Sequence, residues 1–135
     1  KENIYISIAG TVGLVGTIPH YLNGANLSEN AAKIVLIDNK LVEKKYLVYY
    51  LASPSGKIEI SKRTNKLGQP KLALMRIEEI EIPLPPLSEQ KKIVDYLDNL
   101  QEKTEKLKEI QQNQLKELNE LKKSILEKAF KGELI

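Results

Sequence analysis

Apolar positions along this chain change their period several times, and each change marks an element. Ile4, Ile6 and Ile8 alternate with Tyr5 and Ser7, the two-residue period of a half-buried strand. Gly10, Gly13 and Gly16 then punctuate Val12, Leu14, Val15 and Ile18, which predicts strand, tight turn, strand, with glycine where the backbone bends or packs closely. Asn23-Gly24 marks another turn, and residues 32–37 (AKIVLI) form a compact strand. From Val42 to Ala52 the period becomes helical, with Leu47, Tyr50 and Leu51 on one side, and Ser53-Pro54-Ser55-Gly56 ends that helix. Residues 57–71 are polar, basic and aperiodic and read as a loop. A last strand is expected over residues 77–84, with Ile80, Ile82 and Leu84 on one face. Short strands and a short helix predict an α+β domain, a sheet with helices to one side.

The pattern then changes scale. Pro83, Pro85 and Pro86 close the last strand, since proline cannot donate to a ladder. Ser88 is placed as an N-cap, with Glu89 and Gln90 in a first turn that favours negative and polar groups. No Pro or Gly follows until Gly132, which stands at C′ behind Lys128 and Lys131. The helix between these ends is on the order of 65 Å long at 1.5 Å per residue. Its apolar seam advances by alternating steps of four and three: Ile93, Leu97, Leu100, Thr104, Leu107, Gln111, Gln114, Leu118, Leu121, Ile125. That is a coiled-coil heptad, with Thr104, Gln111 and Gln114 as polar positions that fix register at a cost in stability. A lone helix would leave this stripe in water, so a partner helix is expected, from a second copy or from elsewhere in a longer chain. The expected division is a small domain over residues 1–87 and a long helix over 88–135.

Charge sharpens the division. The chain of 135 residues has 21 Lys/Arg and 18 Asp/Glu, and ten of each fall from Ser88 onward, so the whole +3 excess belongs to the first 87 residues. A basic domain beside a neutral helix points to an anionic partner. The chain opens at Lys1 and its one methionine is Met75, so the expectation is the C-terminal piece of something longer, or a chain trimmed to its ordered part. The absence of cysteine excludes a disulfide scaffold, a thiolate zinc site and a thiol nucleophile. No apolar run reaches membrane-spanning length.

Little in the chain points to catalysis. GTVGLVG lacks the Lys-Ser/Thr and the following helix of a phosphate loop, so it is read as a turn. Asp38, Glu43 and Lys45 imitate a metal-dependent nuclease motif, but the acids stand too close together for a two-strand cluster, so the match is taken as chance. His20 is the sole histidine, and no activated-serine elbow accompanies it. No catalytic or metal-binding residue is therefore expected, and Tyr46, Tyr49 and Tyr50 are read as helix packing. The basic segment holds Lys57, Lys62, Arg63, Thr64, Asn65, Lys66, Gln69 and Lys71, which suit phosphates and base edges but equally suit a solvated loop. His20, Tyr21, Asn23 and Asn26 form a second candidate loop.

The junction IPLPPLSEQKKIVDYLD and the ending KKSILEKAFKGEL resemble the specificity subunit of type I restriction–modification enzymes. The upstream stretches SIAGTVGLVG, NLSENAAKIVL and NKLGQPKLALMRIEEIEIPLPPL resemble the second half of a target recognition domain of that family, in the same order. The resemblance implies a non-catalytic DNA-reading subunit of a prokaryotic cytoplasm. There, two recognition domains read the halves of a split double-stranded target, and two antiparallel helices space them and dock methyltransferase subunits. It further implies that the restriction subunit binds through those methyltransferase subunits. S-adenosylmethionine, ATP and Mg belong to the partners, with no cofactor in this chain. It favours DNA contact for the basic segment as a whole; His20 and Asn23 are further DNA candidates from the second loop, and the heptad pattern expects Ile93, Leu97, Leu100, Leu107, Leu118, Leu121 and Ile125 at the helix interface. The rival reading is a structural coiled-coil dimeriser with an inert head.

Overall fold

The computed structural model describes residues 3–22, 24–38, 40–65 and 67–133. The chain divides into two compact units, Lys1–Val94 and Asp95–Ile135. In the first, β1 (Asn3–Ser7), β2 (Val15–Ile18) and β3 (Ala31–Ile34) form an antiparallel sheet in the order β2-β1-β3. The central β1 sets Ile4 opposite Thr17 and Ile34, and Ile6 opposite Val15 and Ala32. Its alternation therefore turns Ile4 and Ile6 to one side, and both are fully buried. Gly16 in β2 lets the Tyr5 ring lie close over the strand, since a Cβ there would stand 2.9 Å from the ring and push it aside. The β1–β2 turn is organised by Ser7, whose Oγ accepts from Leu14 N–H at 2.8 Å and donates to the Thr11 carbonyl.

Helices α1 (Lys44–Ala52), α2 (Pro54–Arg63) and α3 (Leu74–Glu78) cover the sheet. The core is Ile4, Ile6 and Ala32 from the strands, Leu47 and Leu51 from α1, Ile60 from α2, and Leu72 and Ile80 from the segments around α3. Two expectations fail in this region. Ser53-Pro54 does end the first helix, but it also starts the next. Ser53 N–H donates to Tyr49 and Tyr50 carbonyls as the C-cap of α1, and its Oγ accepts from Gly56 N–H at 3.2 Å as the N-cap of α2. Proline at the first helical position suits such a start, because its missing N–H would have no partner there. Residues 57–63, expected as loop, are thus helix. Their sequence carries little helical period because only Gly56 and Ile60 of α2 are buried.

The strand expected over 77–84 is also absent. Its first residues belong to α3, and residues 80–86 run without a ladder partner. Two phenols of α1 take the place of a neighbouring strand. Tyr46 Oη donates to the Pro83 carbonyl at 2.8 Å, and Tyr50 Oη donates to the Glu81 carbonyl at 3.3 Å. Tyr46 and Tyr50 are the packing residues expected, with Tyr46 buried. Burial, and secondarily Tyr50, push the Tyr46 phenol above its ordinary pKa.

Helix α4 runs Leu87–Phe130 and begins one position before the expected cap. The Pro86 carbonyl accepts from Glu89 and Gln90 N–H, so Ser88 lies inside the first turn. Gln90 and Val94 are its buried residues, which places the opening turns in the first unit. Gln90 is wholly buried and fully partnered: Oε1 accepts from Glu43 N–H at 2.9 Å, and Nε2 donates to the carbonyls of Leu41 at 2.9 Å and Pro85 at 2.8 Å. The far end closes as expected. Gly132 has φ +72°, its N–H bonds the Ala129 carbonyl, and Glu133 N–H bonds the Lys128 carbonyl, a Schellman motif.

Candidate nucleic-acid interface

The sequence-assigned residues divide according to their partners. Lys57 is exposed on α2, and Lys57, Ser61 and Thr64 recur at helical spacing along one side. That side borders an open groove of about 600 Å³, whose opposite wall is the β1–β2 turn with Thr11, Val12 and Leu14. Gly13 adjoins the groove at φ +88°, where a Cβ would meet Ile60 at 3.2 Å. The turn and α2 thus approach closely enough that a side chain at position 13 would press on Ile60, and the positive φ favours glycine there in any case.

Lys62 and Arg63 are committed to an acid on their own helix. Lys62 Nζ lies 2.7 Å from Glu59 Oε1, and Arg63 Nη1 bonds both Glu59 Oε2 and the Glu59 carbonyl. Hydrogen bonds from Lys62 and then Arg63 hold the Glu59 carboxyl below the ordinary range. The Arg63 side chain is only 15% exposed, and its buried Nε has no partner among the described residues. Arg63 is therefore largely a packing residue, whereas Lys62 keeps an exposed stem and head.

Beyond α2, Asn65 and Lys71 close a small loop through paired backbone hydrogen bonds of 2.9 and 3.2 Å. Asn65 Oδ1 accepts from Leu67 N–H, so its amide shapes the loop. Gln69 is exposed within the loop and Lys71 at its end. Thr64 Oγ1 donates to the Ile60 carbonyl at 2.8 Å and keeps lone pairs free to accept. His20 lies in a single 3-10 turn, His20–Leu22, and does not line the groove. Asn23 and Lys66 lie outside the described residues. Ser61 and Thr11 were missed; the Ser-Pro helix start was the signal that would have found Ser61. Asp38 Oδ1 caps Lys40 N–H at 2.7 Å in a local turn. Among the described residues no group of three His, Cys, Asp or Glu is placed to hold a metal ion, and no helix is long and apolar enough to cross a membrane.

Helix α4 offers a different surface. Along α4, Leu100, Leu107, Leu118, Leu121 and Ile125 are 47–63% exposed, and Ile93 is 40% exposed, so the expected seam is open to solvent. Leu97 is half-buried. Ion pairs Lys106–Glu102 and Lys92–Glu89 run along the helix at 2.6 and 2.8 Å.

A small antiparallel sheet, helices over one side, an open groove with Lys57 on its edge and a long helix with an open heptad seam define a mixed α+β domain with a helical extension. Residues 1–117 match the type I restriction modification DNA specificity domain, and the chain belongs to that family. It is 28% identical over 134 residues to the type I restriction enzyme EcoBI specificity subunit of Escherichia coli, spanning 99% of this chain and 28% of that subunit. It is also similar to a chain in a solved structure described as the structural basis of complex assembly and conformational transition of the type I R-M system. That likeness has a TM-score of 0.70 at 30% identity and covers 98% of this chain and 31% of the other. The chain thus spans under a third of the length of these relatives.

Proposed function

We propose that this chain is a non-catalytic DNA-recognition module of a prokaryotic type I restriction–modification system, reading one half of a split double-stranded target. The observation that carries the reading is an open groove bordered by the exposed Lys57 and by the hydroxyls of Ser61 and Thr64, in a domain of this family that holds the chain's whole excess of positive charge. Lys57 and Lys71 supply phosphate contacts, while Gln69, Ser61 and Thr64 supply groups for bases or sugars. Lys62 adds to the basic field with its charge already partly matched by Glu59. Helix α4 serves as the spacer to a second recognition domain and as a docking face for methyltransferase subunits, through which the restriction subunit is reached. S-adenosylmethionine, ATP and Mg are held by those partners, in the cytoplasm.

The test is an exchange of residues 1–94 between two such systems, followed by mapping of methylated sites in cells carrying each intact assembly. One half of the methylated sequence should travel with the exchanged segment. An unchanged methylation pattern would refute the reading.

A further inference from the structure

The groove between the β1–β2 turn and α2 carries more apolar surface than a track for phosphates needs. Val12, Leu14, Ile60 and Pro70 line it, and Leu14 is 56% exposed. The turn that presents Leu14 is fixed by its own hydrogen bonds. Leu14 N–H donates to Ser7 Oγ and Ser7 N–H to the Leu14 carbonyl, both at 2.8 Å, and Gly13 N–H donates to the Ser7 carbonyl at 2.9 Å. An apolar surface held this way is ready for a ligand without the cost of ordering a loop. Among the described residues no acid lines the groove, and Lys57 stands at its edge. Glu59, on the same helix, is tied to Lys62 and Arg63. An apolar wall with a cation beside it suits an uncharged apolar group carried on an anionic backbone.

The thymine C5 methyl is the apolar group that duplex DNA presents on its major-groove edges. Resting on the reading that this domain binds DNA, we propose that the groove takes the major-groove edge of a thymine–adenine pair, with the thymine methyl against the apolar lining that includes Leu14. The hydroxyls on the α2 side fit the rest of that edge. Thr64 Oγ1 spends its proton on the Ile60 carbonyl at 2.8 Å, so toward the groove it can only accept. Adenine supplies the matching amino donor, whereas guanine presents acceptors alone. The Ser61 hydroxyl can donate to the thymine O4 between them, and Lys57 reaches a flanking phosphate. A cytosine in the thymine's place brings no methyl and leaves the apolar wall in water.

The test uses the assembled complex and the half-site that methylation mapping assigns to this segment. Each thymine on either strand is replaced in turn by deoxyuridine, which removes the methyl and keeps the base pairing. Fluorescence anisotropy at fixed salt should show a single position where the loss of the methyl weakens binding roughly three- to fivefold. Leu14→Ala should weaken binding to the thymine site by a similar factor and add nothing on the uracil site, because both changes remove one contact. Lys57→Ala should weaken both sites alike. A half-site without a thymine–adenine pair, uracil sites that all bind like the parent, or losses that multiply in the combined case would each overturn the proposal. A Leu14→Ala chain that folds by circular dichroism but no longer joins its partner subunits would assign the groove to a protein and overturn it too. The uracil series needs no variant, so it decides the matter even if Leu14→Ala does not fold. Failure here leaves the DNA reading standing, because that reading is judged by whether the methylated sequence travels with residues 1–94.

Discussion

Replacing Gln90 by leucine tests whether one buried amide holds the start of α4 to its domain. The side chain joins three backbone groups from two separate segments, and its own residue is wholly buried. Leucine has nearly the same volume, so it leaves no room for water while it strands Glu43 N–H and the Leu41 and Pro85 carbonyls. At about 1–1.5 kcal/mol for each lost bond, the expected destabilisation is roughly 3–4 kcal/mol, a large share of the ~5–10 kcal/mol available to a domain this small. Gln90→Glu separates hydrogen bonding from shape. One carboxylate oxygen still accepts from Glu43 N–H, but the other confronts two carbonyl oxygens. Burial and those oxygens raise the folded-state pKa of the new carboxyl above its unfolded value. The variant should therefore be least stable at neutral pH and regain stability as pH falls, when the protonated acid donates to one carbonyl. Urea unfolding followed by tyrosine fluorescence measures both effects, since the chain has six tyrosines and no tryptophan. Hydrogen exchange at the Glu43 amide reads the local contact. A Gln90→Leu variant within 1 kcal/mol of the parent, or a Gln90→Glu variant with the parent's pH profile, would refute the account.

Lys57→Ala should weaken DNA binding by the assembled complex and lower its salt slope by about one, with little change in stability; Arg63→Ala should do the opposite, because its guanidinium is buried against Glu59. The raised folded pKa of the Tyr46 phenol means its stabilisation is complete below the unfolded value near 10 and is lost as pH rises through the folded one. Tyr46→Phe should remove that alkaline loss in a pH titration of unfolding, while costing about 1 kcal/mol at neutral pH for the bond to Pro83. Gly56→Ala should destabilise by several kcal/mol, on the order of 3, because its Cβ would stand 2.1 Å from the Tyr50 carbonyl; thermal unfolding would reveal a smaller effect if the α1–α2 corner can open.

The candidate site was half legible. Residues 57–71 are marked by composition, which does not depend on conformation, and Lys57, Ile60, Ser61, Thr64 and Pro70 among them border an open groove. Their division into an exposed Lys57, a Lys62 partly matched by Glu59 and a packed Arg63 needed α2, because Glu59 reaches Lys62 and Arg63 only when three- and four-residue steps share a helical face.

By itself the chain determined β1 and its buried isoleucines, the long α4, its heptad seam and its glycine cap. Each of these rests on neighbours close in sequence, where period and cap chemistry are sufficient. Only the tertiary structure decided that residues 80–86 pair with tyrosine hydroxyls instead of a strand, and that Ser53 both ends and begins a helix. It also decided that Gln90 is a buried clip to residues 41–43. The physical reason is common to all three: a polar group's partner is chosen by what lies within about 3 Å after the chain has folded, and alternation or composition along a segment carries no record of it.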